Sequence, residues 1–368
     1  MPTDPILSAL QERIRPLDGA LFARTQALLD DKTKPRRSLG RLEELACRLA
    51  QIRGEEVPPA PKKAVVVMAA DHGVAQEGVS AYPQEVTAQM VLNFARGGAA
   101  INVLARQADA EVVVVDMGVA ALVDAPPGSL AIRSCRIGAG TRNFVREPAM
   151  SRDQALRAID AGARLATELA SRGVTLIGIG EMGIGNTTSA SALTAAFTGA
   201  PVGEVTGRGT GIDDAGWKRK VEVIERALAL HRRDERDPLG TLAALGGFEI
   251  AGLAGVVLGA AAARVPVIVD GFISSTAALA ATRLCPAAKS YLVPSHRSVE
   301  VGHRLVLKAL ELTPLFDLDL RLGEASGAAL ALPIFEAAAR MVAEMKTFAE
   351  AGVSTSSSPT AGEPLVPE

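Results

Sequence analysis

The stretch Gly173-Val-Thr-Leu-Ile-Gly-Ile-Gly-Glu-Met-Gly-Ile-Gly-Asn-Thr-Thr-Ser-Ala-Ser constrains this chain more than any other. A short apolar run rich in β-branched residues gives way to closely spaced glycines, and then to a threonine pair ahead of an Ala/Leu-rich segment. That order reads strand, turn, helix. It recurs along the chain. Ala64-Val-Val-Val-Met-Ala-Ala ends at Asp71-His-Gly, and Glu111-Val-Val-Val-Val-Asp-Met-Gly follows a helix that ends near Arg106. Val265-Pro-Val-Ile-Val-Asp-Gly-Phe-Ile-Ser-Ser-Thr is again a strand, an acidic turn and a hydroxyl-rich helix start. Strands alternating with helices predict an α/β chain built on a parallel sheet.

The glycine turn has chemistry of its own. Amides freed where glycines let the chain turn, together with the dipole of the next helix, favour a phosphate, and Thr187, Thr188 or Ser189 is placed to cap that helix. Glu181, read as mid-turn, would repel a phosphate docked on it, so it is expected to face sugar hydroxyls or to orient a neighbour. The spacing of Gly178, Gly180, Gly183 and Gly185 does not match a dinucleotide fingerprint, and no Gly-Lys-Ser/Thr ending makes a P-loop. Thr206-Gly-Arg-Gly-Thr-Gly-Ile-Asp-Asp, ahead of a helix expected over 215–231, is a second loop for phosphate or ribose, although Asp213 and Asp214 also suit a plain cap. Glu324 sits between Gly323 and a run of small residues, a poorly solvated setting that raises a carboxyl toward the range of a general base.

Other segments divide between bland and functional readings. His72 in Asp-His-Gly is an acid/base candidate, but turn chemistry is the better account. The segment Glu77 to Met90 mixes hydroxyl, amide and apolar groups that suit a flat heteroaromatic molecule. Lys34-Pro-Arg-Arg-Ser lies between two helices expected over residues 5 to 53, with Ser38 a candidate cap. Its cations read first as a solvated elbow and second as a site for an anionic substrate. Pro148 and Ser151 open a helix over Arg152 to Ser171, and the apolar run Ile250 to Ala263 is too short for a bilayer and reads as a buried helix.

A net charge of −2 with scattered cations argues against nucleic acid, and 3% aromatics leave few stacking platforms. The start, Met-Pro-Thr-Asp-Pro, does not read as a signal peptide. Cys47, Cys135 and Cys285 suggest neither a disulfide framework nor zinc, and the four histidines have no spacing for a metal. A cytoplasmic protein with reduced thiols is the expectation.

At the level of motifs, the chain resembles the nicotinate-nucleotide–dimethylbenzimidazole phosphoribosyltransferase family. The matching pieces are Lys34-Pro-x-x-Ser-Leu-Gly-x-Leu-Glu, Asp71-His-Gly-Val with Glu77-Gly-Val-Ser, Gln89 and Asn93 ahead of Gly97-Gly-Ala-Ala-Ile-Asn, and Gly140-Thr-x-Asn. They continue with Gly180-Glu-Met-Gly-Ile-Gly-Asn-Thr-Thr, Gly207-Arg-Gly-Thr-Gly and Arg321-Leu-Gly-Glu-x-Ser-Gly-Ala, in family order. Arg36-Arg37 departs from the Pro-Gly usual there and puts only the elbow's conformation in question.

The resemblance implies a Rossmann-like three-layer α/β domain over 61–320. A small helical domain would come from both chain ends, with N-terminal helices in 1–60 and a C-terminal helical part in 321–351. A disordered tail over 352–368 completes the division. It further implies a cytoplasmic homodimer with no metal or organic cofactor, transferring phosphoribose from nicotinate mononucleotide to 5,6-dimethylbenzimidazole or a related base. By similarity Glu324 is the proton acceptor, and Glu181 is the second catalytic candidate. Gly183, Gly185, Asn186, Thr187, Thr188, Gly207, Arg208, Gly209 and Lys220 form the phosphate and ribose side. Ser80, Tyr82, Gln89, Met182 and Leu322 form the base pocket. The rival readings are a nicotinamide-dinucleotide-dependent dehydrogenase, which needs an intact fingerprint with a later acidic residue, and a non-catalytic nucleotide sensor.

Overall fold

The strand Lys63–Ala70 (β1) is buried at every position, as an apolar run without alternation must be when helices cover both faces of a parallel sheet. The computed structural model describes residues 4–231 and 234–354. Its sheet has six strands, β1, Ala110–Gly118 (β2), Ile132–Ser134 (β3), Leu176–Met182 (β4), Val267–Val269 (β5) and Leu292–Pro294 (β6). All pair in parallel, in the order β3-β2-β1-β4-β5-β6, with helices on both faces. The order reverses between β1 and β4. In open α/β sheets ligands occupy the crevice outside the carboxyl ends of strands at such a point, which here is the end of β1 at Ala70 and of β4 at Met182.

Local signals set the helices around this sheet. Ser151 accepts from the Gln154 amide and the Gln154 side chain answers, closing a capping box that starts the helix Arg152–Ser171 where the sequence places it. That helix crosses Phe248–Ala262 in backbone contact. A Cβ on Gly162 would stand 1.9 Å from the Gly252 carbonyl oxygen, and one on Gly255 2.0 Å from that of Ile159. The crossing carries Phe248–Ala262 against Met68 of β1 and Met117 of β2, and its first turn holds Glu249. The helix is the buried one expected from its apolar run.

Three helices, not two, occupy the first 53 residues: Pro5–Arg13, Gly19–Asp30 and Arg41–Arg53. Asp4 and Asp18 each cap a separate start by accepting a backbone N–H two residues on, so the chain breaks between them. The third helix is capped by Gly40 and not by Ser38. Lys34 is no solvated cation, because its Nζ lies 2.8 Å from Glu43 Oε1 with both side chains buried. Arg37 takes φ +57, a left-handed geometry in which a side chain is strained and glycine is not.

The chain forms two units. One comprises the described residues through Leu17 with Pro61–Ile334, and the other comprises Asp18–Ala60 with the described residues from Phe335. The sequence division places its boundaries at 60 and 320 instead. The helix Pro5–Arg13 joins the larger unit because Gln11 donates to the Leu284 carbonyl at 2.7 Å and Tyr291 to that of Arg15 at 2.8 Å. The C-terminal helical part is two helices, Ser326–Glu344 and Phe348–Ala351. Ser326–Glu344 is long and apolar enough to cross a membrane by length and composition, but over half of it is buried within the protein, as in a core helix. The expected tail lies outside the described residues from 355 onward.

Candidate active site

β4 runs through Met182, so Gly178, Gly180 and Glu181 are strand residues and Glu181 does not lie in the turn. The ladder with β1 persists here, pairing Gly180 with Val67 and Glu181 with Met68. The strand glycines serve close packing: a Cβ on Gly180 would stand 1.9 Å from the Ala325 amide nitrogen. The turn proper is Gly183 to Gly185. Gly185, at φ +94, caps the helix Asn186–Thr198, so Thr187, Thr188 and Ser189 fall inside its first turn and do not precede it. The Ile184 amide donates to Thr87 Oγ1 at 3.1 Å, which pins the turn to the helix Val86–Arg96. A helix start of this kind carries partial positive charge.

The second loop meets the first through a lysine. Lys220 is fully buried, and its Nζ donates to Thr187 Oγ1 at 2.9 Å and to the Gly207 carbonyl at 3.4 Å. Gly209 lies against both, since a Cβ there would stand 2.9 Å from Thr187 Oγ1 and 3.3 Å from Lys220 Nζ. Burial lowers the Lys220 ammonium to about 8, with Glu300 opposing the shift. Arg208 instead points to exposed Asp214, and Asp213 caps the helix Asp214–Leu230. Thr188 Oγ1 is buried without a partner among the described residues.

Two buried carboxyl groups lie near the end of β4, Glu181 within it and Glu324 next to the Ala325 that packs on Gly180. Burial, then the charges of Glu249, Asp270 and Glu324, push Glu181 well above its ordinary value, while a hydrogen bond from Asn186 works the other way. Burial raises Glu324 to about 7. Gly323, Glu324 and Ala325 are three successive residues at positive φ (+83, +59 and +62). Such strain in non-glycine residues, of order 1–3 kcal/mol each, persists only where the surroundings over-determine it. Here Asp270 Oδ1 accepts the amides of Gly327 and Ala328 at 2.8 and 3.1 Å, and Ser326 Oγ donates to the Gly323 carbonyl at 2.8 Å. Gly323 also admits Glu181: its Cβ would stand 2.7 Å from Glu181 Oε1.

A carboxyl accepts a proton only when ionised, and a lysine attracts an anion only when protonated. Turnover that depends on both groups is therefore expected to show a kcat/KM that rises as pH passes about 7 and falls as it passes about 8. A steady-state profile that is flat between about pH 6 and 9 would remove both assignments.

The base-pocket candidates are more dispersed. Ser80 Oγ accepts from the Tyr82 amide at 3.2 Å and lies 3.4 Å from Thr210 Oγ1, which links this segment to the second glycine loop. Tyr82 and Leu322 are 55% and 56% exposed, Gln89 is exposed and Met182 is half-buried beside Glu181. His72, fully buried, pairs with Glu249 at 2.5 Å. Sequence reasoning missed Glu249, Asp270 and Glu300 as parts of this region. Glu249 had a visible signal, a lone acid at the head of a 15-residue helix otherwise without charge.

Comparison with known proteins follows the same lines. A family model described as phosphoribosyltransferase matches residues 14–353. A nicotinate-nucleotide–dimethylbenzimidazole phosphoribosyltransferase of Roseiflexus sp. (strain RS-1) is 57% identical over 349 residues, covering 95% of this chain and 98% of the relative. A protein of the same name from Geobacter metallireducens is 53% identical over 348 residues, covering 95% and 98%. The crystal structure of the protein so named from Thermus thermophilus superposes with a TM-score of 0.85 at 47% identity, over 92% of this chain and 100% of that one.

Proposed function

Since the chain belongs to the nicotinate-nucleotide–dimethylbenzimidazole phosphoribosyltransferase family, we propose that its reaction takes place in the crevice at the carboxyl ends of β1 and β4. The enzyme transfers phosphoribose from nicotinate mononucleotide to 5,6-dimethylbenzimidazole, releasing nicotinate and giving α-ribazole 5′-phosphate, a step of cobalamin biosynthesis. The observation that carries the siting is two buried carboxyls at the end of β4, Glu181 in the strand and Glu324 next to the Ala325 that packs on Gly180, followed by a helix start served by a buried lysine.

In our reading the 5′-phosphate docks on Gly183, Gly185 and the first turn from Asn186 to Thr188, with Gly207, Gly209 and the Lys220 ammonium on its other side. Arg208, drawn to Asp214, contributes its backbone. Glu181, whose carboxyl burial pushes well above its ordinary value, holds the ribose together with Asn186. Ser80, Tyr82, Gln89, Met182 and Leu322 wall the acceptor base. Nicotinate on ribose carries a cationic ring nitrogen and leaves readily, so the protein chiefly positions the partners and removes the azole proton. Glu324 takes that N–H proton as the other azole nitrogen bonds to C1′ and the C1′–nicotinate bond breaks. We further read the enzyme as a cytoplasmic homodimer.

A single displacement on a β-nucleotide must invert the anomeric carbon. Purified enzyme supplied with both substrates is expected to yield only the α anomer, read from the anomeric proton by NMR. A β product would demand a covalent ribosyl intermediate, with Glu181 as its nucleophile, and would overturn this mechanism.

A further inference from the structure

The Asp71-His72-Gly73 motif follows β1 directly, yet the chemistry above does not use its histidine. The His72 side chain is fully buried, and its Nε2 lies 2.5 Å from Oε1 of the equally buried Glu249. Three glycines enclose the pair. A Cβ on Gly247 would stand 2.3 Å from His72 Cε1 and 2.5 Å from Glu249 Oε2. One on Gly183 would stand 2.3 Å from the Ala70 carbonyl oxygen and 3.4 Å from the ring, and one on Gly185 3.2 Å from His72 Cβ. Ser189 Oγ donates to the Leu245 carbonyl at 2.6 Å, tying the first turn of Asn186–Thr198 to the same segment. Neither His72 Nδ1 nor Glu249 Oε2 has a partner among the described residues, so the contact between them is their principal tether.

The geometry points to His72 as a positioning residue: its ring, held by Glu249, is the floor on which the turn Gly183–Gly185 rests, and it sets the spacing of the groups that receive the nucleotide's phosphate. This rests on the phosphate reading above. Interior packing transmits displacement, so a floor that drops or tilts spreads groups that must converge on one tetrahedral anion. The phosphate takes no part in bond making, so its contacts are equal in ground and transition states. Their loss raises KM and leaves kcat nearly unchanged.

Two substitutions separate tether from filler. His72→Leu keeps apolar bulk but loses the bond to Glu249, while His72→Gln puts an amide nitrogen near the position of Nε2 and keeps it. Nicotinate mononucleotide and nicotinate riboside, which lacks the phosphate, are titrated into each protein by calorimetry, alongside steady-state kinetics. Wild type is expected to favour the mononucleotide strongly. His72→Leu should weaken mononucleotide binding by about tenfold or more with riboside affinity unchanged and kcat within about threefold, and His72→Gln should recover most of the loss.

If His72→Leu does not fold, Glu249→Ala leaves the ring in place but untethered, and it should erode the mononucleotide preference by about threefold or more. The inference is overturned if the wild-type preference survives undiminished in these variants, or if kcat falls while mononucleotide affinity stays intact. Equal affinities in wild type itself would instead remove the phosphate reading, and this inference with it.

Discussion

Glu324→Gln is expected to lower turnover by about 10²–10⁴-fold, the usual worth of a positioned acid/base group. The amide keeps the shape and a hydrogen bond but cannot take the azole proton. Because that interaction develops in the transition state, the KM for nicotinate mononucleotide should move little. Glu181→Gln should behave otherwise, weakening mononucleotide binding together with rate, because its carboxyl, which lies between Asn186 and Gly323, is the group proposed to hold the ribose. Parallel kcat and KM measurements decide the matter. A near-normal Glu324→Gln, with a Glu181→Gln that loses rate but not binding, would reverse the two roles.

The same substitution has a consequence for stability. Glu324 titrates at about 7 in the folded protein and near 4.3 when unfolded. At low pH both states hold the proton, and there is no difference. As pH rises from about 4.3 to about 7 the unfolded chain releases its proton first, so stability falls, by up to about 4 kcal/mol above pH 7. Glu324→Gln is therefore expected to raise Tm at pH 8 and not at pH 4. A Tm gain of equal size at both would mean that burial does not perturb this carboxyl.

Lys220→Met should raise the KM for nicotinate mononucleotide about 10²-fold or more with kcat close to wild type, since truncating a buried charged partner costs about 2–5 kcal/mol. Methionine has a similar length and fills the same space, so the result reports the charge. In the free protein the ammonium donates to Thr187 and to the Gly207 carbonyl, and an arriving phosphate adds a counter-charge to that of Glu300. An unchanged KM would move the phosphate away from this lysine.

Much of the scaffold was legible in the sequence because its determinants are local. The β-branched runs of β1, β2, β4 and β5 announce themselves as strands, and the pairs Ser151/Gln154 and Asp213/Gly216 mark helix starts through hydrogen bonds spanning three residues. β3 and β6 went unread, because three residues at an edge carry no periodicity. Glu181 was misplaced because glycine signals a turn locally, whereas here Gly180 and Gly178 of β4 clear space for Ala325 and Ala328, a segment far away in sequence.

The sequence by itself determined the α/β class, the glycine loops and, through its motifs, the residues to watch. The tertiary structure alone decided the strand order that opens the crevice between β1 and β4, and the left-handed turn at Glu324. It alone also paired His72 with Glu249 across 177 residues. The reason is physical. Dihedral preference and burial pattern are encoded within a few residues of the chain, but a carboxyl's proton affinity and a turn's footing depend on groups that only the closed sheet brings within reach.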